Sequence, residues 1–234
     1  MRTVTTNGLE TTRNQVLAQI AAACETVGRD TAEVNLLAVS KTHPSATLAD
    51  MYATGQRAFG ENYLQEALDK IQALQDLDIE WHFIGHVQRN KTKHLAAHFA
   101  WVHGVDRFII AERLSSQREA NQAPLNLCLQ VNIDGQDTKD GCAPEEVADL
   151  VKSISQLPHI RLRGLMVIPA PNNLKAFSDA KALFDQVKPQ HAHPQDWDTL
   201  SMGMSGDLEA AIAAGSTMVR VGTALFGARD YSKT

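Results

Sequence analysis

Eight short apolar runs, separated by longer amphipathic stretches, constrain this chain more than any other feature of its sequence. The runs span residues 35–40, 58–61, 81–85, 101–105, 125–132, 160–168, 199–202 and 218–226. Helix-like patterns at 47–54, 63–76, 91–99, 107–118, 145–156, 174–186 and 207–214 fall between them, and an opening helix covers about residues 9–27. Helix-start chemistry recurs in Pro44-Ser45, in Ala143-Pro144-Glu145-Glu146 and in Ser205-Gly206-Asp207. Strands joined through helices must run parallel, because a crossover returns the chain to the same end of the sheet. Nearly continuous Val, Ile and Leu imply that both sheet faces are covered. Eight is the number that closes a (β/α) barrel. The rival, an open doubly wound sheet, lacks a G-x-G-x-x-G turn after its first strand. The expected fold is therefore α/β: a single (β/α)8 TIM-type barrel over residues 1–234, with an extra N-terminal helix and no repeat, low-complexity tract or linker.

Bulk properties narrow the function classes. The 234 residues are 44% apolar and 21% charged, which is ordinary globular composition. A net charge of −5 argues against a general nucleic-acid footprint. No apolar run approaches bilayer-spanning length, and the polar start MRTVTTNGLETTRNQ lacks a signal-peptide core. Cys24, Cys128 and Cys142 are few, odd in number and far apart, so they read as reduced thiols. A cytoplasmic protein is expected.

Lys41 closes the apolar run Leu36-Leu37-Ala38-Val39-Ser40, where a buried strand hands over to a loop. A buried ammonium is costly unless it is paired or its pKa falls, and a desolvated lysine is a nucleophile towards aldehydes. The plain alternative is a side chain that snorkels to solvent. Barrel active sites lie at the C-terminal strand ends, and phosphates often bind after strands seven and eight. There the sequence has Ser201-Met202-Gly203-Met204-Ser205-Gly206-Asp207 and Gly222-Thr223, small-residue turns whose N–H groups and hydroxyls suit a dianion. In Met218-Val219-Arg220-Val221-Gly222, valines packed on the outer helices would turn Arg220 into the barrel. Closure would then set it beside Lys41, lowering the lysine pKa by like-charge repulsion. An interior ion pair of Arg220, for instance with Glu61, is the structural alternative.

These residues resemble the pyridoxal phosphate homeostasis protein family, its bacterial members above all. The matching segments are Ala38-Val39-Ser40-Lys41-Thr42, Phe59-Gly60-Glu61-Asn62-Tyr63, and Trp81-His82-Phe83-Ile84-Gly85 with Gln88, Asn90 and Lys91. Others are Val131-Asn132-Ile133 with Lys139 and Gly141, Arg163-Gly164-Leu165-Met166, and the block from Leu200 to Gly227. The resemblance covers essentially the whole chain. It implies an alanine-racemase-like barrel carrying pyridoxal 5′-phosphate (PLP), with Lys41 holding the cofactor as an internal aldimine. The turn containing Ser201, Met204 and Ser205 would bind the phosphate together with Gly222 and Thr223. Arg220 would face the pyridine nitrogen, and Asn62, His82 and Met166 would line the rest. His86 and Val87 depart from the family's usual small residue or proline followed by leucine, and Gln136 replaces the acid usual before Lys139.

An arginine partner can only donate, so it leaves the pyridine nitrogen unprotonated and the ring a weaker electron sink. The related racemases use a tyrosine from a second domain as opposing base, and eight strands use up this chain. The expected function is a cytosolic carrier and buffer of PLP in vitamin B6 homeostasis, a monomer serving apo-forms of PLP enzymes, without nucleic acid or membrane. A slow PLP-dependent amino-acid racemase is the alternative; a Schiff-base aldolase lacks an assignable acid/base. His94 and His98 lie one helical turn apart without a third ligand, so no metal is expected. His191 and His193 read as solvent-facing, and Arg89, Lys91 and Lys93 as a solvated face. Lys139 reads as a mobile loop lysine, with a second amine for cofactor capture as the other possibility.

Overall fold

A computed structural model describes residues 6–136 and 138–227. Eight parallel strands close a barrel in sequence order: β1 (Asn35–Val39), β2 (Ala58–Glu61), β3 (Glu80–Phe83), β4 (Trp101–Val105), β5 (Leu125–Val131), β6 (Ile160–Val167), β7 (Thr199–Ser201) and β8 (Met218–Val221). Strand β8 pairs with β1 in the register Leu37 to Arg220, which completes the closure. Around them run α1 (Thr6–Thr26), α2 (Ser45–Ala53), α3 (Leu64–Ala73), α4 (Thr92–His98), α5 (Phe108–Gln117), α6 (Val147–Ile154), α7 (Lys175–Val187), α8 (Leu208–Ala213) and α9 (Thr223–Phe226).

Strand alternation divides the apolar residues into separate layers. Outward side chains such as Ala38, Phe59, Phe83, Val102, Leu129, Leu165, Val219 and Val221 pack with the helices in one large core. In α6, Val147, Val151 and Ile154 recur at helical spacing and are all buried against that core. Each such burial stabilises the fold by about 1.5–3 kcal/mol. Inside the barrel, Leu37, Val39, Ile84 and Met218 form one small cluster, and Trp101, Cys128 and Met166 form another.

Three expectations change. The last apolar run is not one strand: β8 stops at Val221, Gly222 leaves strand geometry at φ −116° and ψ −74°, and α9 follows. Its Leu225 and Phe226 are buried, and the Thr12 hydroxyl of α1 donates to the Leu225 carbonyl at 2.8 Å, so this apolar tail seats a helix. Strand β3 begins one residue earlier, at Glu80, whose charge masked it. His191 is buried rather than solvent-facing, because its Nε2 meets the Leu162 carbonyl at 2.9 Å. His193 is exposed. The three cysteines are buried and free of disulfides. His94 and His98 stack at exposed positions, and no cluster of three potential metal ligands occurs among the described residues. No described helix is long and apolar enough to cross a membrane.

Candidate functional site

A cavity of about 250 Å³ opens at the C-terminal end of the barrel, slightly below the range of about 300–1,000 Å³ common for ligand pockets. Val39, Ile84 and Ile168 give it apolar walls, and Lys41, Asn62, Arg220, Ser205 and Thr223 bring amine, amide, guanidinium and hydroxyl groups to it. Met204, Gly206 and Gly222 complete the rim.

Lys41 stands just past β1 on a loop that is anchored from beneath. Thr42 adopts the left-handed conformation at φ 68°, unusual for a β-branched residue. Its backbone N–H donates to Glu66 Oε1 at 2.6 Å. The Lys70 ammonium, itself buried, donates to the Ser40 carbonyl (2.9 Å), Glu61 Oε1 (2.7 Å) and Glu66 Oε1 (2.6 Å). Ser40 adds its hydroxyl to Glu61 Oε1 at 2.5 Å. Burial pushes the Glu61 carboxyl up, against the downward pull of Lys70 and Ser40. Glu61 therefore pairs with Lys70, and the expected alternative of an Arg220–Glu61 pair is corrected: the two side chains lie on opposite faces of the sheet.

Arg220 points into the barrel, as alternation along β8 required. Nη1 donates to the Ser201 carbonyl (2.7 Å) and hydroxyl (2.8 Å), and Nη2 to the Val167 carbonyl (2.9 Å). These bonds engage three of its five N–H groups. Full burial pushes its pKa down to about 10, so it remains a cation at neutral pH. Asn62 Oδ1 is buried without a hydrogen-bond partner among the described residues, an acceptor left for something in the cavity that Asn62 lines.

The turn after β7 depends on Gly203, at φ +93°, where a Cβ would lie 2.5 Å from the Ala211 Cβ. Asp207 does not cap α8 with its side chain; its Oδ1 accepts the Met204 N–H at 2.6 Å and closes the preceding turn. At Gly222 a Cβ would come within 3.2 Å of the Val39 carbonyl.

Thus Lys41, Asn62, Met204, Ser205, Arg220, Gly222 and Thr223 share the cavity, while Ser201, His82 and Met166 lie outside its lining. Ser201 is fully buried beneath Arg220. His82 stacks on Trp101 with ring centroids 5.3 Å apart, and Met166 packs on Trp101 and Cys128. Lys139 lines a neighbouring cavity of about 220 Å³ that shares Ile168 with the first. Its ammonium donates to the Ile168 carbonyl at 2.9 Å and meets Asp134 at 3.3 Å. The departure at His86 makes a contact of 3.0 Å with Asp140. A larger cleft of about 880 Å³ opens at the opposite mouth between Arg13, Arg57, Glu80, Trp101 and Arg163, a face that in this architecture serves stability.

Sequence reasoning missed Lys70, Glu66 and His103. Lys70 looks like any helix-surface lysine, and no local pattern distinguishes it. Ile84 and Ile168 fell within two of the expected strand runs and were not singled out as cavity residues.

The chain matches the family model of the alanine racemase N-terminal domain over residues 16–230. The pyridoxal phosphate homeostasis protein of Pseudomonas aeruginosa is 55% identical over 218 residues, 93% of this chain and 94% of that one. Among solved structures, PipY of Synechococcus elongatus with PLP bound has a TM-score of 0.71 at 39% identity, covering 90% of this chain and all of that one. The alanine racemase of Corynebacterium glutamicum, at 15% identity, shares the fold with a TM-score of 0.70 over 99% of this chain and 63% of its own.

Proposed function

Because this chain belongs to the alanine racemase N-terminal domain family, and within it to the pyridoxal phosphate homeostasis proteins, we propose that it binds PLP and serves as its buffer and carrier in vitamin B6 homeostasis. The observation that carries the reading is the convergence of Lys41, Arg220 and the Asn62 acceptor, which has no partner among the described residues, in one small cavity with the Ser205 and Thr223 hydroxyls beside it. PLP supplies an aldehyde that condenses with a primary amine and an aromatic ring that withdraws electrons. Lys41 would provide that amine from a loop held in place by Lys70 and Glu66. The turn with Met204 and Ser205 and the segment Gly222-Thr223 would hold the phosphate through hydroxyl and backbone donors. Arg220, restrained by Ser201 and Val167, would present its remaining donors to the ring and keep the ring nitrogen unprotonated. Ser201, His82 and Met166 would support that floor rather than touch the cofactor.

Retention without rapid turnover fits the same cavity. Proton abstraction needs a placed base opposite the amine, and among the described lining residues only Lys41 and Arg220 are titratable. The reading takes residues 1–234 as one domain, a cytoplasmic monomer that hands PLP to apo-enzymes. The test is the visible spectrum of the protein with PLP. A yellow protein whose band is lost in Lys41→Ala, and whose borohydride-reduced peptide carries the label on Lys41, supports it. An unaltered band overturns the Lys41 assignment, and fast stereospecific racemisation of amino acids overturns the carrier reading.

A further inference from the structure

Two histidines in the barrel interior remain without a role in the cavity. His82 and His103 are fully buried and lie in an unbroken chain of polar contacts. Glu80 Oε1 is 2.8 Å from His82 Nε2, and His82 Nδ1 is 3.0 Å from His103 Nε2. His103 Nδ1 lies 3.3 Å from the Ser201 hydroxyl, which accepts from Arg220 Nη1 at 2.8 Å. The chain runs from the half-exposed Glu80 at one mouth to the cavity floor near the other.

Donor counting gives this chain one direction. The ionised Glu80 carboxylate only accepts and a guanidinium only donates, so neutral rings must pass donation towards Glu80. The Ser201 proton therefore goes to His103 Nδ1 while its oxygen accepts from Arg220. A neutral ring that accepts at Nδ1 carries its proton on Nε2, so His103 donates to His82 Nδ1. His82 by the same rule carries its proton on Nε2 and donates to the Glu80 carboxylate. Burial disfavours the charged form of both rings, and His103 feels Arg220 as well. Reversing either tautomer would set two N–H groups or two lone pairs against each other. The dipoles align from cation to anion, an arrangement in which each bond polarises the next.

We propose that His103, backed by His82 and Glu80, is a positioning residue for Arg220: it turns the Ser201 hydroxyl so that the oxygen lone pairs face Nη1 and hold the guanidinium plane at the cavity floor. Its consequence for the cofactor rests on the reading of that cavity as the PLP site. The inward positions that build it, Glu80 and His82 on β3, His103 on β4, Ser201 on β7 and Arg220 on β8, come from four strands, so only barrel closure assembles the chain.

Long-range imidazole nitrogen–proton NMR spectra of the wild-type protein without added PLP test the direction. Both rings are expected neutral with the proton on Nε2; a His103 ring protonated at Nδ1, or a cationic ring, overturns the proposal. In the same sample the Arg220 Nη protons should give separate signals because rotation is restricted. They should average in His103→Phe and in Ser201→Ala, the smaller change should the first variant fail to fold. With PLP, either variant should still be labelled at Lys41 but bind about tenfold more weakly, the loss expected of one hydrogen bond to a charged group, with a displaced visible band. Ser201→Thr, which restores the hydroxyl, should recover most of the affinity. Unchanged Arg220 signals, affinity and band in the folded variants overturn the positioning role. A wild-type protein that takes up no PLP overturns the cavity reading instead, and the cofactor-free spectra tell the two failures apart.

Discussion

Replacing Lys70 by methionine removes a cation but almost none of the packing volume, so its cost isolates the electrostatics beneath Lys41. The Lys70 ammonium meets two carboxylates of different exposure: the Glu61 side chain is 0% exposed and that of Glu66 is 29% exposed. Solvent screens the Glu66 half, which contributes little. The Glu61 half is fully desolvated, and stranding a buried charge costs about 3–5 kcal/mol. Glu61 can escape by taking a proton. Its folded pKa already lies above the ordinary 4.5 through burial, and Lys70 is the main force holding it down. With Lys70 gone, the folded state binds more protons than the unfolded chain over a wider window above 4.5. Stability of K70M must therefore fall as pH rises through that window, until Glu61 is ionised in the folded protein. Urea unfolding of wild type and K70M at about pH 5 and about pH 8 should show a small gap at the lower pH and one approaching 3–5 kcal/mol at the higher. Glu61→Gln in the K70M background should recover most of the loss, since no charge is then buried. A gap below about 1 kcal/mol, or one that does not change with pH, would refute this account of the Glu61–Lys70 pair. The variant should also weaken PLP retention, because the Ser40 carbonyl loses its Lys70 donor and Glu66, which holds the Thr42 N–H, loses its cation.

Other outcomes follow from the same geometry. His82 and His103 are held below the ordinary histidine value of 6.5, so the unfolded chain binds more protons below that pH. Thermal melts should show stability falling as pH drops from about 7 to about 5, and this slope should flatten in His103→Phe. Gly203→Ala places a side chain at φ +93° and 2.5 Å from the Ala211 Cβ. It should cost about 1–3 kcal/mol in chemical unfolding and weaken PLP binding by displacing the Met204–Ser205 turn. Met166→Ala, at a fully buried interior position, should cost about 2–5 kcal/mol, with any change in the PLP band smaller than that of Ser201→Ala. Reductive labelling with PLP should mark Lys41 and leave Lys139 largely unmodified, as the Lys139 ammonium is engaged by Ile168 and Asp134.

Much of the site was legible from local pattern. Alternation in Met218–Val221 turned Arg220 inward because valines on the other face pack on helices, and the structure has that arrangement. Lys41 stood out because it ends an apolar run. His82 was expected against the cofactor on the strength of resemblance, yet its ring joins the chain beneath Arg220 because Glu80 and His103 take both nitrogens. His191 looked exposed in a polar loop, but a carbonyl from β6 buries it, and no local signal announces a partner 29 residues away.

The sequence by itself determined the order of elements, the inward or outward face of strand residues, and the placing of reactive groups at strand ends. These depend on periodicity and on short-range turn chemistry, which a neighbour or two specify. Tertiary structure alone decided which inward groups meet. The Glu80-to-Arg220 chain draws on four strands, and the clamp under Lys41 joins the ends of β1 and β2 to the barrel-facing side of α3. Such pairings depend on barrel register and closure, where a shift of one residue would turn every side chain of a strand to the other face.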